Sequence, residues 1–160
     1  MFSEMALVHV MQKQNRSGGG LDLRAVRLFD RVVRDPQSSR LGKLFAKRPK
    51  PLRLLSDVAD ERRFSNRRHA GIRVIAVDAI HGTLNRGADF DYDFRPLQQS
   101  DYGRWSKIAT AMMNGIDLPP IEVVQVGDDY FVKDGHHRIS VARALGFRFL
   151  DAIVEIWDEA

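Results

Sequence analysis

The run Asp134-Gly135-His136-His137-Arg138 sets a carboxylate, two imidazoles and a guanidinium around one glycine. Their neighbours indicate the backbone that carries them. Tyr130 to Val132 is an apolar run that stops at the turn pair Asp134-Gly135, and Ile139, Ala142 and Leu145 then recur at helical spacing until Gly146. The expected unit is strand, tight turn and helix, with Asp134 as the N-cap and Gly135 letting the backbone approach a ligand closely. Unpaired N–H groups in a first helical turn favour anions, and phosphate is the natural guest. Arg138 adds a bidentate fork, and a histidine near neutral pH donates a hydrogen bond or moves a proton. Neighbouring helical side chains point about 100° apart, so His136 and His137 cannot be equivalent ligands. The expectation is His137 on phosphate and His136 as acid or base, with Asp134 either capping, binding magnesium or accepting a hydroxyl proton. The competing reading is a plain helix cap with surface histidines.

Other segments must hold this turn. Ser100 or Asp101 can cap a helix running to about Met113, with Trp105, Ile108, Ala109 and Met112 as a core stripe and Asn114-Gly115 as its stop. Ser106 and Thr110 share a face of that helix and read, on spacing alone, as boundary residues. Leu118-Pro119-Pro120 leads into a strand, Ile121 to Val126, which Gly127-Asp128-Asp129 turns into the strand Tyr130 to Lys133 as a β-hairpin. Phe149 to Trp157 supplies a last strand, and Ile72 to Ile80 a first strand followed by a short turn. Between them His81 to Phe94 reads as a polar loop, in which solitary His81 is structural. Asp89, Asp91 and Asp93 alternate there without the glycine turn or closing glutamate of a calcium loop, so solvation is the simpler reading. The order β, α, β, β, α, β describes a small α+β domain with a mixed sheet and packed helices over residues 71–160.

The rest of the chain differs in charge. Residues 1–73 hold 17 of the 25 Lys and Arg but 7 of the 21 Asp and Glu, which leaves +10 there and −6 in residues 74–160. Residues 1–70 form a basic extension with a linker at 17–20 and an amphipathic helix at 21–34. On that helix Arg24, Arg27, Arg31 and Arg34 line one stripe, opposite Val26, Phe29, Val32 and Val33. A second basic stretch contains Lys43, Lys47 and Arg48 among prolines. The arginine stripe reads first as a solvated face whose apolar side packs on the main domain. A surface for nucleic acid or an acidic protein is the second reading. Zero cysteines exclude disulfides, thiolate metal sites and thiol catalysis. No apolar run approaches the roughly 20 residues of a membrane span, and a soluble, cytoplasmic protein is expected. The oligomeric state, a homodimer included, is left open.

Ile75 to Ile80, Phe94-Arg95-Pro96, the helix closed by Asn114-Gly115, Leu118 to Val123 and Asp134 to Arg138 together resemble the ParB N-terminal/sulfiredoxin superfamily over roughly residues 72–157. The resemblance implies a small α+β fold that binds a nucleoside triphosphate. Sulfiredoxins carry Gly-Cys-His-Arg at the turn, which puts His137 and Arg138 on phosphates and His136 where the thiol would be. Sulfinic-acid reduction is excluded, since the chain has no thiol. The same resemblance puts Ser106 and Thr110 on the phosphates. The family lysine falls at Gly103, so Arg104 or Arg95 would have to substitute. ParB partition proteins have Gly-Glu-Arg-Arg there and bind CTP. Only the final Arg agrees, and no DNA-clamping region is recognisable. ParB-like free-serine kinases are similar in an Asp-Gly-His turn. No nuclease metal cluster is recognisable.

Two functions follow as expectations. The first is a regulatory or interaction module that binds a nucleoside triphosphate, ATP or CTP with Mg2+, through the turn. The alternative is a magnesium-dependent phosphotransferase or NTP hydrolase assisted by His136 or Asp134. DNA binding and nuclease activity rank below both.

Overall fold

A computed structural model describes residues 22–33, 51–59 and 64–159. The expected linker at 17–20, Arg34, Lys43, Lys47 and Arg48 lie outside the described residues. In chain order the elements are α1 (Leu23–Val33), β1 (Arg53–Leu54), α2 (Leu55–Ala59) and β2 (Phe64–Ala76), then a 3-10 turn (Val77–Ala79) and β3 (Ile80–Thr83). A second 3-10 turn (Gln99–Asp101) precedes α3 (Tyr102–Met113), β4 (Ile121–Val126), β5 (Asp129–Asp134), α4 (His136–Leu145) and β6 (Phe149–Glu159).

The strands form one mixed sheet in the order β1-β3-β5-β4-β6-β2. The β4/β5 hairpin is antiparallel, while β3 lies parallel to β5 and β4 parallel to β6. Alternation along the hairpin separates the two faces of the sheet. Val123 and Val132 join Ile80, Phe90, Phe94, Ile121 and Ile139 on the side covered by α4. Val124 and Phe131 face Leu55 and Val58 of α2 on the other. The α+β class expected from the element order is the one observed.

The basic extension and the domain share structure. β2 is continuous across residues 70 and 71, where the sequence reading divides the chain, and pairs with β6 from Phe64 to Ala76. Gly71, with φ of 73°, sits at a bulge inside the strand. Helix α1 packs its apolar side on α3: Ala25 and Phe29 are buried with Trp105, Ile108, Ala109 and Val141. The Phe29 ring meets Trp105 edge-on at 5.3 Å, an arrangement worth about 0.5–1.5 kcal/mol beyond the buried area. Arg24, Arg27 and Arg31 stay exposed, as the solvated-face reading expects.

The expected polar loop after His81 is better anchored than its composition suggests. His81 belongs to β3, and Phe90 and Phe94 are fully buried. Asp91 turns inward, and its Oδ1 accepts the backbone N–H groups of Asp93 at 3.0 Å and Arg95 at 2.8 Å. Asp89 instead pairs with Arg86 at 2.7 Å. These carboxylates are thus spent separately on loop structure, and among the described residues no three His, Asp or Glu side chains gather where they could hold a metal. No helix among the described residues is long and apolar enough to cross a membrane.

Candidate anion site at the start of α4

The sequence places the turn where expected, but its side chains have different duties from those expected. Gly135 occupies the N-cap position with φ of 104°, a conformation that disfavours any side chain. A Cβ there would lie 2.5 Å from Cγ2 of Ile121. The glycine therefore permits close packing against β4 rather than against a ligand. No side chain caps α4, so Asp134 is not the N-cap. Its Oδ2 instead accepts a hydrogen bond from Nη2 of Arg138 at 2.5 Å.

Arg138 is 4% exposed. Its Nη1 donates to the carbonyls of Pro119 and Pro120, the latter at 2.8 Å. The guanidinium thus ties the entry of β4 to the first turn of α4, and the proline pair supplies carbonyls that no strand partner uses. Burial lowers its pKa, while the neighbouring Asp134 and Glu122 charges act to raise it. The fork expected on a ligand phosphate is committed inside the protein.

His136 is also interior, at 3% exposure. Its Nε2 lies 2.7 Å from Oγ1 of Thr83, and its ring stacks on Phe90 at 5.6 Å. Burial first, then the Arg86 charge, holds its pKa at about 3. A neutral imidazole locked between Thr83 and two phenylalanines is a poor proton shuttle near pH 7. His136 thus packs and hydrogen-bonds within the fold, and Asp134 is paired with Arg138.

His137 differs. It is 4% exposed and lies edge-on to Phe90, with Nε2 3.6 Å from Oδ1 of Asp101, too far for a hydrogen bond. Burial and then the Arg104 and Arg86 charges pull its pKa down to about 4, against Asp89, so the ring is neutral at pH 7 and the Asp101 contact is not an ion pair. Nδ1 of His137 is buried with no hydrogen-bond partner, and so is Oγ of Ser106 on α3. An unpaired buried polar atom typically costs about 1–3 kcal/mol, which makes such atoms informative. Beside Ser106, the Trp105 indole N–H donates to Oγ of Ser140 at 2.8 Å and fixes α3 against α4.

The surroundings mix charges: Arg86 is paired with Asp89 and Arg138 with Asp134. Arg104 is exposed on α3, and its charge acts on His137, Arg138 and Asp101. Thr110 lies half-buried one turn beyond Ser106. Asp101 ends a 3-10 turn and makes no side-chain cap, and Ser100 makes none either, its hydroxyl donating to Gln98. Burial pushes the Asp101 carboxyl up, with the Arg86 charge opposing. Arg95 is not with this group: it lines a different cleft, near Asp93.

In structure the chain is similar to a sulfiredoxin from Arabidopsis thaliana, at 17% identity and a TM-score of 0.42, over 54% of this chain and 86% of that one. It is also similar to a conserved hypothetical protein from Pyrococcus furiosus, at 19% identity and a TM-score of 0.39, over 54% of this chain and 33% of that one. The chain therefore spans about a third of the Pyrococcus protein. No family model matches, and no curated protein does. The reading of the site rests on its own atoms.

Sequence reasoning missed Thr83 and Phe90, which contact His136, and Arg86, whose charge acts on both histidines. One signal was present: Asp134 and Arg138 stand four apart with opposite charge, the spacing of a helical ion pair.

Proposed function

We propose that this chain is a nucleotide-binding module that accepts the phosphate groups of ATP or CTP at the start of α4. The observation that carries the reading is the pair of buried, unpartnered polar atoms, Oγ of Ser106 and Nδ1 of His137. Both lie on the helices that meet at the turn, in a region where Arg104 supplies positive charge and Arg86 is offset by Asp89. The amides of an uncapped first helical turn add to that field. A phosphate oxygen accepts from a hydroxyl and from an imidazole N–H, which are the groups left over here. Ser106, His137 and Arg104 would contact the phosphates, with Thr110 beside them. Arg138 and Gly135 position the turn. A magnesium ion carried by the nucleotide would neutralise phosphate charge, and the Asp101 carboxylate stands 3.6 Å from His137. Binding without turnover is the preferred reading, because His136 and Asp134 are both engaged in holding the fold.

The test is thermal shift and calorimetry with ATP, CTP, GTP and ADP, with and without Mg2+. Saturable stabilisation is expected from at least one triphosphate. Ser106→Ala should stabilise the unliganded protein, by up to about 1–3 kcal/mol, because it removes a buried hydroxyl that has no partner. The same change should weaken nucleotide binding about tenfold, or about 1.4 kcal/mol. Absence of a response to every nucleotide, or a Ser106→Ala variant that binds as wild type does, removes the reading.

A further inference from the structure

A cleft of about 560 Å³ opens where the end of α1, the 3-10 turn at Val77–Ala79, the Asp93–Arg95 segment and the C-terminal half of α4 meet. That volume falls within the range of small-ligand sites. Four arginines line it: Arg31, Arg95, Arg143 and Arg148. Two carboxylates, Asp78 and Asp93, are set against them, and Asp93 reaches Nη2 of Arg95 only at 3.8 Å. Neither Arg31 nor Arg148 meets a carboxylate within ion-pair range among the described residues, so the lining carries surplus positive charge.

Arg143 is the fixed member. Its Nη2 donates to the carbonyls of Ile80 at 2.9 Å and Val77 at 3.3 Å, and its guanidinium lies 4.9 Å from the Phe94 ring centre. Its Nε is buried with no partner. Complementing the negative end of α4 accounts for Arg143 and Arg148. It does not account for Arg31, which arrives from a helix more than a hundred residues earlier. Val32 and exposed Phe147 add apolar wall beside the charges.

We propose that this cleft is a second anion site, distinct from the turn at the start of α4, which takes a small organic phosphomonoester. Guanidinium forks bind a phosphate dianion in bidentate fashion, and the apolar wall suits a compact organic body. The concavity favours a small molecule over a nucleic-acid backbone, which meets a surface.

The probes are glycerol phosphate, inorganic phosphate, glycerol and a single-stranded oligonucleotide, each titrated into the full chain while backbone amide NMR shifts are followed. Saturable shifts are expected at Phe94, Arg95, Phe147 and Arg148 with glycerol phosphate, weaker ones with inorganic phosphate, and none with glycerol. Arg148→Glu should weaken the response at least tenfold. Arg148→Gln is the milder variant if the first fails to fold, with circular dichroism checking both. The proposal is overturned if those amides do not respond, if Arg148→Gln and Arg148→Glu bind as wild type does, or if the oligonucleotide outcompetes glycerol phosphate. Shifts confined to residues 135–137 would sink the cleft while leaving the turn as the phosphate site. Response in the cleft with silence at 135–137 would support the cleft and leave the turn to its own nucleotide test.

Discussion

The turn at Gly135–Arg138 and the cleft around Arg143 both concentrate cationic and polar side chains, yet they spend them differently. At the turn the guanidinium of Arg138 is consumed by two prolyl carbonyls and Asp134, and His136 by Thr83. Only Ser106 and His137 keep buried atoms without partners there. In the cleft Arg143 is tied to backbone carbonyls and Arg95 faces Asp93, while Arg31 is exposed and Arg148 rests near the Phe149 ring. A contiguous motif can therefore be mostly scaffold, whereas scattered residues present more uncommitted charge.

The strongest test of that contrast is Arg138→Met. If Arg138 is scaffold, the change leaves part-exposed Asp134 and two prolyl carbonyls without their partner, and losing three hydrogen bonds to a charged group costs about 3–5 kcal/mol. Urea unfolding should show the loss with no ligand present. Unchanged stability accompanied by lost nucleotide binding would return Arg138 to the role of phosphate ligand. By comparison, Arg148→Ala should alter stability by no more than about 0.5 kcal/mol, as is usual for exposed positions. Gly135→Ala comes next. A positive-φ residue strained by about 1–2 kcal/mol must also displace Ile121, and overpacking adds about 1–3 kcal/mol. A midpoint shift smaller than that expected for 1 kcal/mol would mean that the turn relaxes and that the close approach is not required.

The difference between the regions also explains what the sequence could reveal. Periodicity located α3, the β4/β5 hairpin, α4 and β6, because each carries its pattern within a dozen residues. The arginine-bearing helix could be read as solvated on one side for the same reason, since Phe29 and Val32 fall opposite Arg24 and Arg31. Phe90 and Phe94 were hidden by the aspartates between them, although they cover the histidines. The burial of His136 was illegible because it depends on Thr83, which lies more than fifty residues earlier and reaches the site through the parallel β3/β5 pairing. The cleft was equally illegible: its arginines come from segments with no common motif, and only the fold juxtaposes them.

Acid titration gives an intermediate effect that belongs to the turn alone. Both histidines have folded pKa values below the ordinary 6.5, at about 3 for His136 and about 4 for His137. The unfolded chain therefore takes up protons first as pH falls below about 6.5, and the folded state loses stability down to those values. Each group contributes a slope approaching about 1.4 kcal/mol per pH unit in that window. The raised carboxyls of Asp91 and Asp101 act in the opposite sense, since the folded chain binds their protons first. Stability measured by urea unfolding between pH 7 and pH 4.5 should fall, and His136→Gln should remove about half of the slope. A flat profile in the wild type would show that the imidazoles reach water, against their burial.

The smallest expected effect concerns Asp101, where the two sides of the turn meet. Its carboxylate lies 3.6 Å from His137 and opposes any anion that approaches Nδ1 of that ring. Asp101→Asn keeps the shape and removes the charge, so phosphate or nucleotide affinity should rise about threefold to tenfold, or about 0.6–1.4 kcal/mol. Because burial raises the Asp101 carboxyl, the wild type should gain affinity as pH falls and this repulsion is protonated away. The ratio of variant to wild-type affinity should then shrink toward one at acidic pH, a comparison in which the titration of the ligand itself cancels. If Asp101 instead holds a magnesium ion delivered with the nucleotide, the sign reverses: Asp101→Asn weakens binding, and does so only when Mg2+ is present. Calorimetry with and without Mg2+ separates the two, and a variant unaffected under every condition would place the phosphate away from His137.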